Sequence, residues 1–172
     1  FLKQSMIAAI YVVLVYVLRF ASFDLIQFRV AEVLMILILF DKKSIIGLTI
    51  GCFVANWVSG AFFIDVVFGS MATMIAGFLM YYTRKWVLGS LIWPALINGL
   101  VIGVILTYAY DLGPLWLTMS SVFIGEFAVM YLVGYPTYLT LRKNTNFIEF
   151  FKSWTPRVQL FFIKKRTIFI VL

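Results

Sequence analysis

The sequence contains no histidine and a single cysteine, Cys52, among its 172 residues. The commonest metal ligand and the commonest general base at neutral pH are therefore missing. One cysteine supports neither a disulfide framework nor a thiolate metal site. Charged residues make up 12% of the chain, against about a quarter in soluble domains. These absences argue against an enzyme, and the sequence predicts no catalytic residue, no metal and no cofactor.

Apolar residues dominate instead, because 64% of the chain is hydrophobic and the mean hydropathy is +1.06. At about 20 residues per span, this length predicts an all-α membrane protein, a bundle of about six transmembrane helices within residues 1–142. A signal peptide is the alternative for the first apolar run, but no small-residue cleavage site follows it, and we interpret it as a retained helix. The predicted spans are residues 5–20, 29–40, 44–60, 66–82, 87–108 and 115–141.

If these spans alternate in direction, most basic residues fall on one side of the membrane. The positive-inside rule then places both the N and C termini in the cytoplasm. This predicts a multi-pass protein of the cell membrane and explains the net charge of +7 without nucleic acid. The basic, aromatic tail, residues 143–172, is predicted to lie on the anionic cytoplasmic leaflet. Single-stranded nucleic acid is the alternative partner for the tail.

Small residues recur every four positions in three of the spans. This spacing is typical of helices whose backbones pack closely where lipid gives no hydrophobic drive. The three ridges are Gly47, Gly51, Ala55 and Ser59, then Gly69, Thr73 and Gly77, then Ala95, Gly99 and Gly103. A shorter ridge on the first helix, Ser5, Ala8 and Ala9, faces either a neighbouring helix or another subunit.

A base and an acid, Arg29 and Glu32, enter the apolar sequence in the stretch that begins at Gln27. An ionised side chain at bilayer depth costs roughly 3 to more than 10 kcal/mol, so it persists only where it is paired, hydrated or bound. Their spacing of three places both on one face of a helix, where Arg29 is expected to hold Glu32 ionised and oriented. The other polar side chains of the spans fall in the outer half of the membrane or near its midplane. They are Asn56, Asp65, Asn98 and Glu126.

This one-sided arrangement predicts a substrate pocket that opens to the outside. The alternative is that Arg29 and Glu32 pair only with each other, that the asparagines bridge helices, and that Asp65 caps a helix or lies in a loop. Phe28 and Trp57 are expected to supply flat walls, although tryptophan near the end of a span is often an interface anchor. Carboxylates, amides and an aromatic ring together suit a flat heterocycle such as a guanine-like base.

Three segments carry a family resemblance: IQFRVAE at residues 26–32, IGCFVAN at 50–56 and DVVFGSMAT at 65–73. In this order they resemble the QueT family, the substrate-binding S components of energy-coupling factor (ECF) transporters assigned to the uptake of queuosine precursors. The resemblance implies a six-helix bundle in a prokaryotic cell membrane that captures a 7-deazaguanine-type precursor from outside. It also implies that the loop between the first two helices, with Gln27 and Phe28, closes over this substrate.

The resemblance further implies a T component and two cytoplasmic ATPases as partners, since the chain has no phosphate-binding loop and cannot itself use ATP. Ser5, Ala8 and Ala9 then become the predicted contact with the T component. Three alternatives stay open: an S component for another vitamin-like heterocycle, an intramembrane enzyme such as a lipid-modifying transferase, and a ligand-free assembly subunit. The enzyme would need carboxylates or histidines clustered near the cytoplasmic face, and the sequence places none there.

Overall fold

The computed structural model describes residues 2–18 and 29–152, and this part of the chain contains helices and no strands. The predicted all-α class is therefore confirmed, and each predicted span coincides with helical structure over the residues described. The elements are α1 (Leu2–Val17), a 3₁₀ helix (Val30–Leu39), α2 (Ser44–Val58), α3 (Phe63–Thr83), α4 (Val87–Ser90), α5 (Ile92–Tyr108), α6 (Leu115–Ala128), a π-helical segment (Val129–Gly134), α7 (Tyr135–Lys143) and α8 (Thr145–Lys152).

Three helical stretches in the described residues are long and apolar enough to cross a membrane: Phe63–Thr83, Val87–Tyr108 and Leu115–Lys143. The shorter apolar helices are Leu2–Val17, Val30–Leu39 and Ser44–Val58. Length and composition thus agree with a helical membrane bundle. Six spans and the cytoplasmic position of both termini stay predictions.

The second predicted span forms a 3₁₀ helix rather than an α-helix. At a rise of about 2.0 Å per residue, its 10 residues reach about 20 Å, whereas an α-helix would reach about 15 Å. Side chains three positions apart eclipse one another in this geometry. Glu32, Met35 and Ile38 therefore form one row, and all three are fully buried. The short run reaches further through the bundle than its number of residues suggests.

Glycines allow the backbones of two pairs of helices to come into contact. At Gly51 of α2, a Cβ would lie 3.1 Å from the Cα of Ala8 in α1. At Gly103 of α5, it would lie 2.7 Å from the Cα of Met119 in α6. α1 packs along α2 and α5 along α6, while α3 contacts both α2 and α5. The ridges predicted from four-residue spacing are therefore helix-packing surfaces.

The loop between α5 and α6 contains a turn with positive φ at Asp111 (52°) and Gly113 (135°), residue types that favour this conformation. The backbone N–H of Phe62 donates to the hydroxyl of Tyr110 at 3.0 Å, and the two rings lie 4.6 Å apart. Burial raises the pKa of Tyr110, so the phenol is neutral at physiological pH. The loop is thereby tied to the start of α3 without a charge.

The last long helix changes its hydrogen-bonding pattern at Val129–Gly134, where the π-helical segment joins α6 to α7. Pro136, which has no N–H to donate, follows this segment near the start of α7. After α7, the rings of α8 pack on the bundle: Phe147 meets Phe40 edge to face at 5.3 Å, and Phe151 is 6% exposed. The start of the predicted tail thus joins the apolar core, and residues 153–172 lie outside the described part.

Candidate functional site

Polar side chains that are rare in this sequence meet inside the bundle. They come from α1, the 3₁₀ helix and the residue before it, α2, α3, α5 and α6, and each is at most 6% exposed. Six of the predicted substrate-binding residues are among them. We name this set the polar cluster: Tyr11, Arg29, Glu32, Asn56, Asp65, Thr73, Asn98 and Glu126.

Glu32 is held by two hydroxyl groups from other helices. The Tyr11 hydroxyl donates to Oε1 of Glu32 at 2.7 Å, and the Thr73 hydroxyl lies 3.5 Å from the same oxygen. The second oxygen, Oε2, is buried and has no hydrogen-bond partner among the described residues. The fold therefore orients one half of this carboxylate and leaves the other half able to accept a donor.

Arg29 forms its ion pair with Asp65 rather than with Glu32. Its Nη2 lies 3.8 Å from Oδ1 of Asp65, so the prediction that Arg29 orients Glu32 is wrong, and Tyr11 does so instead. The 3.8 Å separation is longer than a hydrogen bond, and Arg29 Nη1 and Asp65 Oδ1 have no hydrogen-bond partner in the described part of the chain. Asp65 lies in the first turn of α3, whose N-cap is Phe62. The alternative of Asp65 as a helix cap is therefore also wrong.

A second pair joins α5 to α6. Nδ2 of Asn98 donates to Oε1 of Glu126 at 2.8 Å, so this asparagine bridges two helices. Oδ1 of Asn98 and Oε2 of Glu126 lack a hydrogen-bond partner within residues 2–18 and 29–152. Glu126 lies within electrostatic reach of Glu32 and Arg29, so the two halves of the polar cluster belong to one site.

A glycine brings Asn56 close to Asp65. Nδ2 of Asn56 makes long contacts, at 3.5 Å with the backbone oxygen of Asp65 and at 3.7 Å with Sγ of Cys52. At Gly69, a Cβ would lie 3.0 Å from Oδ1 of Asp65 and 3.2 Å from Nδ2 of Asn56. A larger residue would fill the space between these side chains, so Gly69 keeps the polar cluster open at this point.

Trp57 is not part of the polar cluster. It is 60% exposed and stacks on Phe53 with ring centroids 6.2 Å apart. Successive helical side chains point about 100° apart, so its position next to Asn56 turns Trp57 away from the site. The prediction that Trp57 forms a stacking wall of the site is therefore wrong, because its ring lies on the outer surface of the bundle. Gln27 and Phe28 lie outside the described residues.

The predicted partner-binding ridge of α1 divides between two faces. Ala8 lies against Gly51, so its side of the helix is covered by α2. Ser5 and Ala9 are exposed. Ala8 is therefore a packing residue within the bundle, whereas Ser5 and Ala9 stay a predicted contact surface.

Two members of the polar cluster were not predicted from the sequence as site residues. Tyr11 belongs to a buried stripe with Ile7 and Val15, and this four-residue spacing is the signal that could have identified it. Thr73 was predicted only as part of a packing ridge. Its hydroxyl lies near the backbone oxygen of Gly69, at 3.2 Å, as well as near Glu32, so it serves both helix packing and the site.

A half-open groove of about 330 Å³ lies away from the polar cluster, near the end of α3. Its lining is mainly apolar and contains no charged side chain: Thr83, Trp86, Leu88, Gly89, Ile92, Trp93 and Tyr131. The groove has no charged side chain with which to bind a polar molecule, so the polar cluster is the candidate site.

Apolar helices that enclose ionisable and amide side chains are typical of a membrane-embedded protein, and the unpaired hydrogen-bonding atoms make the polar cluster its candidate binding site. The chain belongs to the QueT transporter family, whose model matches residues 1–143. This match confirms the family resemblance found in the sequence. It also places the chain among transporters rather than enzymes.

The chain is similar to a curated protein, the queuosine precursor transporter QueT of Lactococcus lactis subsp. cremoris strain MG1363. The two are 40% identical over 73 residues, which are 41% of this chain and 43% of that protein. The match therefore spans less than half the length of that relative. No solved structure matches the chain.

Proposed function

We propose that the chain is the substrate-binding S component of an ECF-type importer and captures a 7-deazaguanine-type queuosine precursor from outside the cell. The observation that carries this proposal is the polar cluster, whose buried carboxylates and amides have unpaired atoms. The family and the name of the Lactococcus relative support a queuosine precursor as the substrate.

The edge of a 7-deazaguanine has the groups that the polar cluster lacks. Its ring N–H and its exocyclic amine are neighbouring donors that a carboxylate can accept together, and its carbonyl is an acceptor. Glu32 is the proposed acceptor because Tyr11 already fixes its orientation. Arg29, through its unpaired Nη1, is the proposed donor to the carbonyl. Burial away from water strengthens these hydrogen bonds.

In this proposal six helices span the cell membrane and both termini lie in the cytoplasm. A T component and two ATPases complete the importer and supply the ATP hydrolysis for which this sequence has no phosphate-binding loop. The exposed Ser5 and Ala9 of α1 form part of the proposed contact with the T component.

Calorimetric titration of the purified protein with 7-deazaguanine precursors tests substrate capture. The parent should bind saturably, and Glu32→Gln should weaken binding by about tenfold or more, because a charge-assisted hydrogen bond is lost. Glu149→Gln changes an exposed carboxylate of α8 and should bind like the parent. Binding of purines or vitamins alone would assign another heterocycle, and no binding at all would favour an assembly subunit.

Co-purification tests the proposed partners. The parent chain should retain a T component and two ATPases, and Ala9→Trp should lose them because a large ring is placed on the proposed contact. Ile46→Trp is the matched control, since Ile46 is 58% exposed on α2. Retention of the partners by the Ala9 variant would exclude this face of α1.

A further inference from the structure

We propose that the polar cluster selects a positively charged substrate, a 7-deazaguanine with a protonated amine on its side chain, over a neutral analogue of similar size. Glu126 is the residue proposed to bind the amine. This inference rests on the proposed function, because it concerns the same site. It further specifies the charge of the substrate and the residue that binds the charged group.

The unpaired atoms of the polar cluster are mostly acceptors. The acceptors are Glu32 Oε2, Asp65 Oδ1, Asn98 Oδ1 and Glu126 Oε2, and the donor is Arg29 Nη1. The hydrogen bond to Glu126 fixes the amide of Asn98, because an ionised carboxylate accepts and the amide nitrogen must therefore face it. Buried polar atoms are normally hydrogen-bonded. A ligand that satisfies this site must therefore bring more donors than acceptors.

The charges of the site lead to the same conclusion. The polar cluster contains the carboxyl groups of Glu32, Asp65 and Glu126 and the guanidinium of Arg29. Arg29 pairs with Asp65 at 3.8 Å and stands three residues before Glu32. Glu126 accepts its hydrogen bond from the neutral amide of Asn98, and neither α5 nor α6 contains a basic residue. Glu126 is therefore the least compensated of the three.

A buried carboxylate without a compensating cation has to take up a proton or bind a positively charged group. Glu126 and Asn98 together present two unpaired acceptors, Oε2 and Oδ1, which suits the several N–H donors of a protonated amine. A nitrile at the same position would bring a further acceptor and no donor. The site should therefore discriminate between these two substituents.

Two 7-deazaguanines that share the base edge and differ at the 7-substituent, aminomethyl or cyano, test this inference by titration of the purified full chain. The aminomethyl compound should bind at least about tenfold more tightly, as expected for a buried charge pair against a neutral contact. This comparison uses the parent protein, so it decides the charge preference even where a variant fails to fold.

Two substitutions at one position then test the role of Glu126. Glu126→Gln keeps the shape of the side chain and removes its charge. It should therefore weaken binding of the aminomethyl compound but not of the cyano compound, and so abolish most of the preference between them. Glu126→Asp keeps the charge and should retain the order of preference. Glu149→Gln, at an exposed position of α8, is the control for loss of a carboxylate outside the site. Thermal unfolding checks that each variant is folded.

The outcomes separate this inference from the proposed function. Equal binding of both compounds by the parent would overturn the charge preference and leave the function intact. Binding of neither would overturn the proposed function itself. A full preference in folded Glu126→Gln would overturn the assignment of the amine to Glu126.

Discussion

The Tyr11 hydroxyl joins α1 to Glu32 by a buried hydrogen bond of 2.7 Å. A charged acceptor makes such a bond stronger than one between neutral groups. The same oxygen of Glu32 has a longer contact, 3.5 Å, with Thr73. Tyr11 of α1 therefore contributes both to helix packing and to the orientation of Glu32, a candidate substrate-binding residue.

Replacing Tyr11 should therefore be costly. Tyr11→Phe leaves Oε1 of Glu32 with its long contact alone, and should lower the free energy of unfolding by about 1 to 3 kcal/mol. Thermal unfolding of the purified protein measures this change. Tyr16→Phe removes the same hydroxyl from a residue of α1 that is 60% exposed and should change little. Equal unfolding temperatures for the two variants would contradict the role of Tyr11.

Single residues also show what the sequence could and could not predict. Glu32 and Glu126 were predictable because an acid within an apolar helix is costly and therefore rare. Tyr11 and Thr73 were missed: the buried stripe of Tyr11 indicates a packed face but no binding role, and a threonine hydroxyl in an apolar helix commonly bonds to its own backbone. The partner of Arg29 depends on which helices are neighbours in space, and spacing along one helix carries no such information.

At the scale of helices, the apolar runs predicted where the helices lie along the chain, and the small-residue ridges predicted which faces pack closely, without indicating which helices are neighbours. The 3₁₀ geometry of Val30–Leu39 was not predictable, because composition does not distinguish bonding three positions apart from bonding four apart. The four-residue repeat indicated that α5 packs closely at Gly103. The distance between the two backbones depends on the residues of both helices and could not be read from the repeat.

Gly103→Ala provides a test at this scale. Alanine normally stabilises a helix interior by about 1 kcal/mol relative to glycine. Here its Cβ would lie 2.5 Å from Cγ and 2.7 Å from Cα of Met119, so overpacking should instead destabilise the bundle by about 1 to 3 kcal/mol. Val104→Ala, at a neighbouring position that is 42% exposed, is the control. A Gly103 variant as stable as the parent in thermal unfolding would show that α5 and α6 are not packed so closely.

At the scale of the whole molecule, the charge distribution predicts the orientation in the membrane. Loops with Lys42, Lys43, Arg84 and Lys85 alternate along the chain with loops that contain Gly60 or Asp111. The positive-inside rule places the basic loops in the cytoplasm. The outer ends of α2, α3 and α5 then lie on the side from which a substrate would enter.

Labelling of single cysteines checks this orientation. A membrane-impermeant maleimide added to intact cells should label Leu112→Cys, because Leu112 is 41% exposed in the proposed outer loop. It should label Lys85→Cys, in a basic loop, only after the cells are opened. Cys52 is fully buried and should give no background. The reverse pattern would invert the proposed topology.

The unpaired atoms of the polar cluster have a further consequence for the empty protein. Each buried oxygen that lacks a donor lowers the stability of the bundle, typically by about 1 to 3 kcal/mol. Under the proposed function, a substrate that supplies those donors would become part of the core and hold the helices together. Selection for tight capture and selection for a stable protein without substrate would then act in opposite directions on Glu32, Asn98 and Glu126.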